Sequence, residues 1–402
     1  MFVVMEPMGS VIPRLPPARA AEKKRISRHV IVALVLGGAA GFLGASFGVE
    51  VIAPLPGPKW LDLLLLLVLP LTWLIAVAVH EAGHLVGGWL TGGRFLLWVV
   101  GPFMLRRTPS GVHAAWNRNV NLAGGMAACL PLDPKLMTPP RAALMILGGP
   151  AASLVLTHVS LFGALLLNQV SRPDSVGLAL AYNVAVFTAG LSLLIFLATV
   201  WPATAGGFKS DGRRFFDLLR GDARSEQEAA LLVLTTAGLT GIRPADYDPA
   251  LVAKTVSLND GSLFDLYGHL TVYYHAADRA QWSAAQAHLD HVLSGASDLM
   301  PFMRDTAACE YAWLIAGKTG DAAAARAWLA TAGKLDFDPA TRLRAESAVL
   351  LAEGRPAEAA AKAREGLHAL EHRSLSPVKS PFAEDALEQL LQRAEAIPDQ
   401  RT

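Results

Sequence analysis

The feature that most constrains this chain is the length of its apolar runs. Four stretches, roughly residues 30–53, 60–90, 142–170 and 176–201, are each long enough to cross ~30 Å of hydrocarbon as a helix. Inside lipid no water pairs a free backbone N–H or C=O, so such runs have to become helices packed on one another. Of 402 residues 52% are hydrophobic and only 17% charged, but the average hides a split. The apolar runs dominate up to about Pro202, whereas beyond Arg213 the sequence turns rich in Ala, Glu, Arg and Gln, as soluble helices are. The expected organisation is a cytosolic tail over 1–28, a membrane domain over 29–215 and a soluble helical domain over 216–402. The expected fold class is an all-α membrane protein: four transmembrane helices with a small β-hairpin insertion, then a soluble α-helical-hairpin domain.

Basic residues orient the spans. Lys23, Lys24, Arg25 and Arg28 precede the first run, Arg94, Arg106, Arg107, Arg118 and Lys135 follow the second, and Lys209, Arg213 and Arg214 follow the fourth. Only Lys59 and Arg172 fall in the opposite loops, so the positive-inside rule places both termini in the cytosol. The first run is too long for a signal-peptide core, and no disulfide-bearing secreted domain follows it, so it reads as a span. Cys129 and Cys309, far apart in sequence, read as buried thiols. A net charge of +1 offers no broad basic surface, and no nucleic-acid partner is expected.

The second run ends in His80-Glu81-Ala82-Gly83-His84. On a helix, residues four apart share a face, so both imidazoles can meet one metal ion while Glu81 stands beside the reacting water. Ionisable groups inside a span cost roughly 2.5–3.5 kcal/mol each for Asp, Lys or Arg, so their clustering calls for a function or a partner. Zinc suits these ligands, and a catalytic zinc site takes three protein ligands with one position left open.

A third ligand must come from elsewhere in the chain. Asp211 is the best placed: it follows the fourth run in Ser210-Asp211-Gly212-Arg213, and the second and fourth runs head for the same side of the membrane. On spacing alone an Asp-Gly pair after a helix is usually just a turn. His29, His113 and His158 compete for the position, although a lone histidine in a span more often bonds a neighbouring helix.

The order of His80-Glu81-x-x-His84, then Gly149-Pro150-Ala151-Ala152-Ser153, then Asp211-Gly212 resembles the site-2 protease family of intramembrane zinc metalloproteases over about residues 60–215. The resemblance implies a three-helix core, one Zn2+ per chain held by His80, His84 and Asp211, and Glu81 as general base. It also implies membrane-protein substrates cut within or near the bilayer. Two positions depart from the family pattern. Ser153 stands where Asn is common after the Gly-Pro pair, and Thr199-Val200-Trp201-Pro202 replaces the usual Asn-x-x-Pro, at a longer distance from Asp-Gly. Gly149, Pro150, Ser153 and Thr199 are the positions at which the resemblance implies substrate contact; Ser and Thr retain hydrogen-bonding capacity there.

Between the second and third runs, 94–100, 103–107 and 112–116 carry strand formers around a Pro109-Ser110-Gly111 turn, predicting a small hairpin sheet near the cytosolic face. A sheet edge can hold a substrate extended by strand addition; packing support for the helices is the plainer use. Gly148, Gly149 and Pro150 are expected to interrupt the third span near its start.

In the soluble half, 278–292, 320–332 and 354–367 superpose on small residues Ala285, Ala325 and Ala359, spaced by 40 and then 34 residues. That period suits tetratricopeptide-like helix hairpins, which bind cytosolic proteins or peptides on a concave face, or else simply cap the membrane domain. Residues 263–274 read as core, and 374–381 as a loop before the last helix. The compact four-span layout points to a bacterial inner membrane. A non-catalytic membrane scaffold recruiting partners through the repeats is the competing function, but it gives no role to Glu81.

Overall fold

The computed structural model describes residues 14, 52–118, 122–131, 133, 138–170, 175–205, 208–295, 299–335, 338–373, 375–376 and 378–397. Apart from its last two residues, the expected span at 30–53 lies outside them. Three helices among the described residues are long and apolar enough to cross a membrane: α1 (Leu64–Leu90), entered through a 3-10 turn at Lys59–Leu63, α2 (Pro139–Val170) and α3 (Val176–Val200). Their outer faces are bare hydrocarbon. Leu66 and Leu67 of α1, Val159 and Phe162 of α2, and Leu194 and Leu197 of α3 are exposed, as suits contact with lipid. Trp60 lies just before α1, while Trp89 and Trp201 stand exposed at the far ends of α1 and α3, the depth at which indole rings favour a membrane interface.

The inner faces are small and polar. Thr72, Ala76, His80, Gly83 and Gly87 recur at helical spacing along one side of α1, and all are buried. Small residues let α1 and α2 touch backbone to backbone: a Cβ on Gly83 or Gly148 would overlap the other's carbonyl, and one on Gly87 would lie 2.6 Å from the Leu144 oxygen. Ser192 of α3 donates to the Ser153 carbonyl of α2 at 2.8 Å. The expected interruption at Gly148-Gly149-Pro150 does not occur. Helix α2 runs through all three, because Pro150 removes only one intrahelical donor and the glycines are needed for contact rather than for a break.

The sheet is larger than the expected hairpin. Strands β1 (Gly93–Val100), β2 (Phe103–Thr108), β3 (Gly111–Trp116) and β4 (Met126–Pro131) form an antiparallel sheet in the order β3-β2-β1-β4. Strand β4, Met-Ala-Ala-Cys-Leu-Pro, lacks β-branched residues, so its sequence gives no strand signal. Its place comes from pairing with β1 and from packing on α1, where Cys129 fills the space left by Gly88.

After α3 the chain makes a two-stranded turn, β5 (Thr204–Ala205) against β6 (Phe208–Lys209), and enters α4 (Asp211–Arg220). Helix α5 (Ala223–Leu239) and α6 (Pro249–Thr255) lead to three helix pairs in series: α7 (Leu263–Asp278) with α8 (Trp282–Ser294), α9 (Pro301–Thr319) with α10 (Ala322–Thr331), and α11 (Pro339–Ala352) with α12 (Pro356–His372). Helix α13 (Pro381–Glu395) packs on the last pair. The repeat seen in the sequence has a geometric counterpart. Ala285, Ala325 and Ala359 are wholly buried, and five residues before each stands a left-handed residue, Ala280 at φ 58°, Gly320 at 71° and Gly354 at 73°.

Candidate metal centre

Helix α1 delivers His80, Glu81 and His84 in its C-terminal half, all on the side that meets α2 and the sheet. The helical period alone brings the two rings together: His80 Nε2 and His84 Nε2 are 3.3 Å apart, with their planes nearly perpendicular. Asp211 arrives by another route. The mini-hairpin β5–β6 folds the long spacer after Pro202 back on itself, with Ser210 Oγ donating to the Trp201 carbonyl at 2.6 Å and accepting from the Ala203 N–H at 3.0 Å. Ser210 then caps α4, which sets Asp211 in its first turn. Gly212 is required there, because any Cβ would overlap the Val200 carbonyl at the end of α3.

Asp211 Oδ2 lies 3.4 Å from His80 Nε2 and 3.5 Å from His84 Nε2. The three donor atoms form an almost equilateral triangle. Metal–ligand bonds of about 2.0–2.1 Å at tetrahedral angles separate donors by about 3.3–3.4 Å, so two nitrogens and one oxygen in this arrangement fit zinc. Burial opposes ionisation of Asp211, yet the His80 and His84 rings beside it outweigh that and hold its carboxyl well below the usual range. It is therefore a carboxylate, the form that ligates.

Outer partners fix both rings. His80 Nδ1 is 2.9 Å from Ser153 Oγ, and His84 Nδ1 is 2.9 Å from the Met145 carbonyl. A carbonyl only accepts, so His84 carries a proton on Nδ1, and its Nε2 faces the centre of the donor triangle. Gly149 makes room for this ring, since a Cβ there would overlap His84. Glu81 is buried beside the triad and interacts electrostatically with His84, His80, Asp211 and Arg214. Gly125, in the left-handed region at φ 116° just before β4, faces it: a Cβ there would come within 2.5 Å of Glu81 Oε1.

The residues expected to touch substrate divide. Gly149 and Ser153 belong to the histidine support: Ser153 is fully buried behind His80, and its carbonyl accepts from Thr157 and Ser192. Pro150 is buried in α2. Thr199 bonds back to the Phe196 carbonyl of its own helix at 3.3 Å. Among the competing histidines, His113 sits on β3 against Ser110, His158 bonds Leu154 within its own helix, and His29 lies outside the described residues. The sequence reading missed the Met145 carbonyl and Gly125, neither of which carries a side-chain signal. Compared with models of known protein families, with curated proteins and with solved structures, the chain matches none.

Proposed function

We propose that this chain is an intramembrane zinc endopeptidase that hydrolyses peptide bonds of membrane-protein substrates within or near the bilayer. The observation that carries the reading is the donor triangle of His80, His84 and Asp211 with buried Glu81 at its side. A purely structural metal site has no use for that carboxylate. Bound zinc supplies Lewis acidity for a peptide carbonyl and makes water easier to deprotonate.

The chain's own residues supply the rest. Glu81 Oε1 takes a proton from the attacking water as the new C–O bond forms at the scissile carbon. It returns that proton to the amide nitrogen as the C–N bond breaks. Met145 and Ser153 keep the two imidazoles turned inward throughout. Strand β4 begins next to Gly125, hence next to Glu81, and pairs on one side only among the described residues. A substrate strand added to that edge has its backbone held extended beside the proton acceptor.

The surrounding reading has four spans including 30–53, both termini in the cytosol of a bacterial inner-membrane protein, and one zinc at this centre. The left-handed turn and buried alanine recurring in three hairpins support a tetratricopeptide-like array, whose partner is a cytosolic protein or peptide.

The test uses detergent-purified protein. His80→Ala and Asp211→Ala each lose one zinc equivalent relative to wild type by elemental analysis. Glu81→Gln keeps that zinc and cleaves no membrane-protein substrate that wild type cleaves. Turnover retained by Glu81→Gln removes the assignment; no loss of zinc in the ligand variants leaves the scaffold as the better reading.

A further inference from the structure

The first hairpin of the soluble region carries a second cluster of ligating side chains, unrelated to the membrane site. Helix α7 bears Asp265 and His269, four residues apart, and α8 bears His288 and His291, three apart. Both spacings place their pair on one helix face, and α7 packs on α8 so that the faces meet. His291 Nε2 lies 3.3 Å from Asp265 Oδ2, and His269 Nε2 lies 4.0 Å from Asp265 Oδ1. The His269 and His291 rings stack at 3.8 Å. One donor atom from each of Asp265, His269 and His291 falls within 4.8 Å of the other two.

Hydrogen bonding leaves this cluster unsatisfied. Asp265 is fully buried, and although its Oδ2 accepts from the Gly261 N–H at 3.1 Å and hydrogen-bonds His291 Nε2 at 3.3 Å, its Oδ1 has no hydrogen-bond partner among the described residues. The same holds for His269 Nε2, which faces that oxygen and is likewise cut off from solvent. His269 Nδ1 sits 2.9 Å from His288 Nδ1, so one of the two nitrogens donates. With His269 as donor, its Nε2 lone pair and the carboxylate confront each other as two buried acceptors. With His288 as donor, the Nε2–H of His269 points at an oxygen beyond hydrogen-bond reach.

We propose that the α7–α8 hairpin holds a second divalent transition-metal ion, of the zinc class, through the Asp265 carboxylate, His269 Nε2 and His291 Nε2. His288 accepts from His269 Nδ1 and so fixes the tautomer that ligates, as outer partners of metal-bound histidines do. The mixed nitrogen and oxygen donors suit zinc, and the 33% exposure of the His291 side chain leaves solvent access to a fourth position. Bound metal clips the first hairpin together by tying a buried carboxylate on one helix to a histidine on the next. Nothing in this depends on proteolysis at the membrane site.

The test takes the full chain in detergent with His80→Ala and His84→Ala, which removes the membrane site, loaded with Co2+ and desalted. About one cobalt per chain is expected, with the visible absorption of a four-coordinate ion, and it is lost on adding His269→Ala or His291→Ala. His291 stands at the rim of the cluster, so His291→Ala keeps the wild-type circular dichroism. As a second measurement, wild type carries one more zinc equivalent than His291→Ala alone. Absence of retained cobalt in the His80/His84 variant overturns the proposal, as does cobalt that survives both His269→Ala and His291→Ala. A failed protease reading is distinguished by its own mark, wild-type zinc unchanged by Asp211→Ala.

Discussion

Ser153 and Met145 give the two histidines of the candidate metal centre different kinds of support, and the difference is testable. The Met145 contact is a backbone carbonyl and survives any side-chain change, whereas the His80 contact is a hydroxyl that Ser153→Ala deletes. Losing such an outer partner typically weakens metal binding about 10- to 100-fold. Ser153→Ala is expected to do so in a zinc competition titration while the helical dichroism stays unchanged; an unaltered affinity shows the hydroxyl to be mere packing. Gly149→Ala has a harsher outcome, because the added Cβ overlaps the His84 ring: elemental analysis is expected to show one zinc equivalent less than wild type. His80, Glu81 and His84 were legible at this scale, since helix geometry alone fixes residues four apart on one face. Ser153 was legible only as a polar residue in a span. Its partner lies on another helix, and no local pattern in the sequence records that contact.

At the scale of elements, the three left-handed turns between paired helices carry two glycines and one alanine. An L-residue in that conformation costs roughly 1–2 kcal/mol that glycine does not. Ala280→Gly is therefore expected to stabilise the C-terminal helices by about 0.5–1 kcal/mol, after the greater flexibility of glycine in the unfolded chain is set against the relief. Urea denaturation followed by tryptophan fluorescence measures it, and a destabilised variant refutes the strain. The paired helices are tied by a buried network. Glu310 of α9 accepts from Tyr273 and Tyr274 of α7, each at 2.8 Å, and from Arg344 of α11, which also lies over the Trp313 ring. Glu310→Ala leaves Arg344 buried without its counter-ion, a loss of about 3–5 kcal/mol. A fall in melting temperature for Glu310→Ala, partly reversed by adding Arg344→Met, is the expected pattern. The periodic alanines were legible because a tight helix crossing admits only small residues. This polar network was not, since its members come from three separate helices.

For the molecule as a whole, the proposed metal centre ties metal binding to folding. A ligand that binds only the native state stabilises it by about 2.7 kcal/mol at a hundred times its dissociation constant. Zinc removal by a chelator is accordingly expected to lower the thermal midpoint, with His80→Ala abolishing the part that belongs to the membrane domain. A midpoint independent of zinc in both proteins contradicts a metal centre built into the native helix packing. The sheet also leans on the C-terminal helices: the Ser110 N–H donates to the Glu371 carbonyl at 3.2 Å and Arg106 donates to the Arg373 carbonyl at 3.1 Å.

The sequence by itself determined the helical character of the three long apolar runs among the described residues, the His80-Glu81-His84 face and the alanine period of the C-terminal helices. Each follows from an interaction among near neighbours in the chain or from the number of residues needed to cross hydrocarbon. Tertiary structure decided the rest. Strand β4 has no strand-forming composition and exists because β1 and α1 offer it an edge and a surface. Asp211 reaches the histidines because a hairpin absorbs the long spacer and Gly212 lets α4 press against the end of α3. Asp265 and His291 meet only because two helices dock face to face. In each case the deciding term is a contact between segments distant in sequence, which no local pattern encodes.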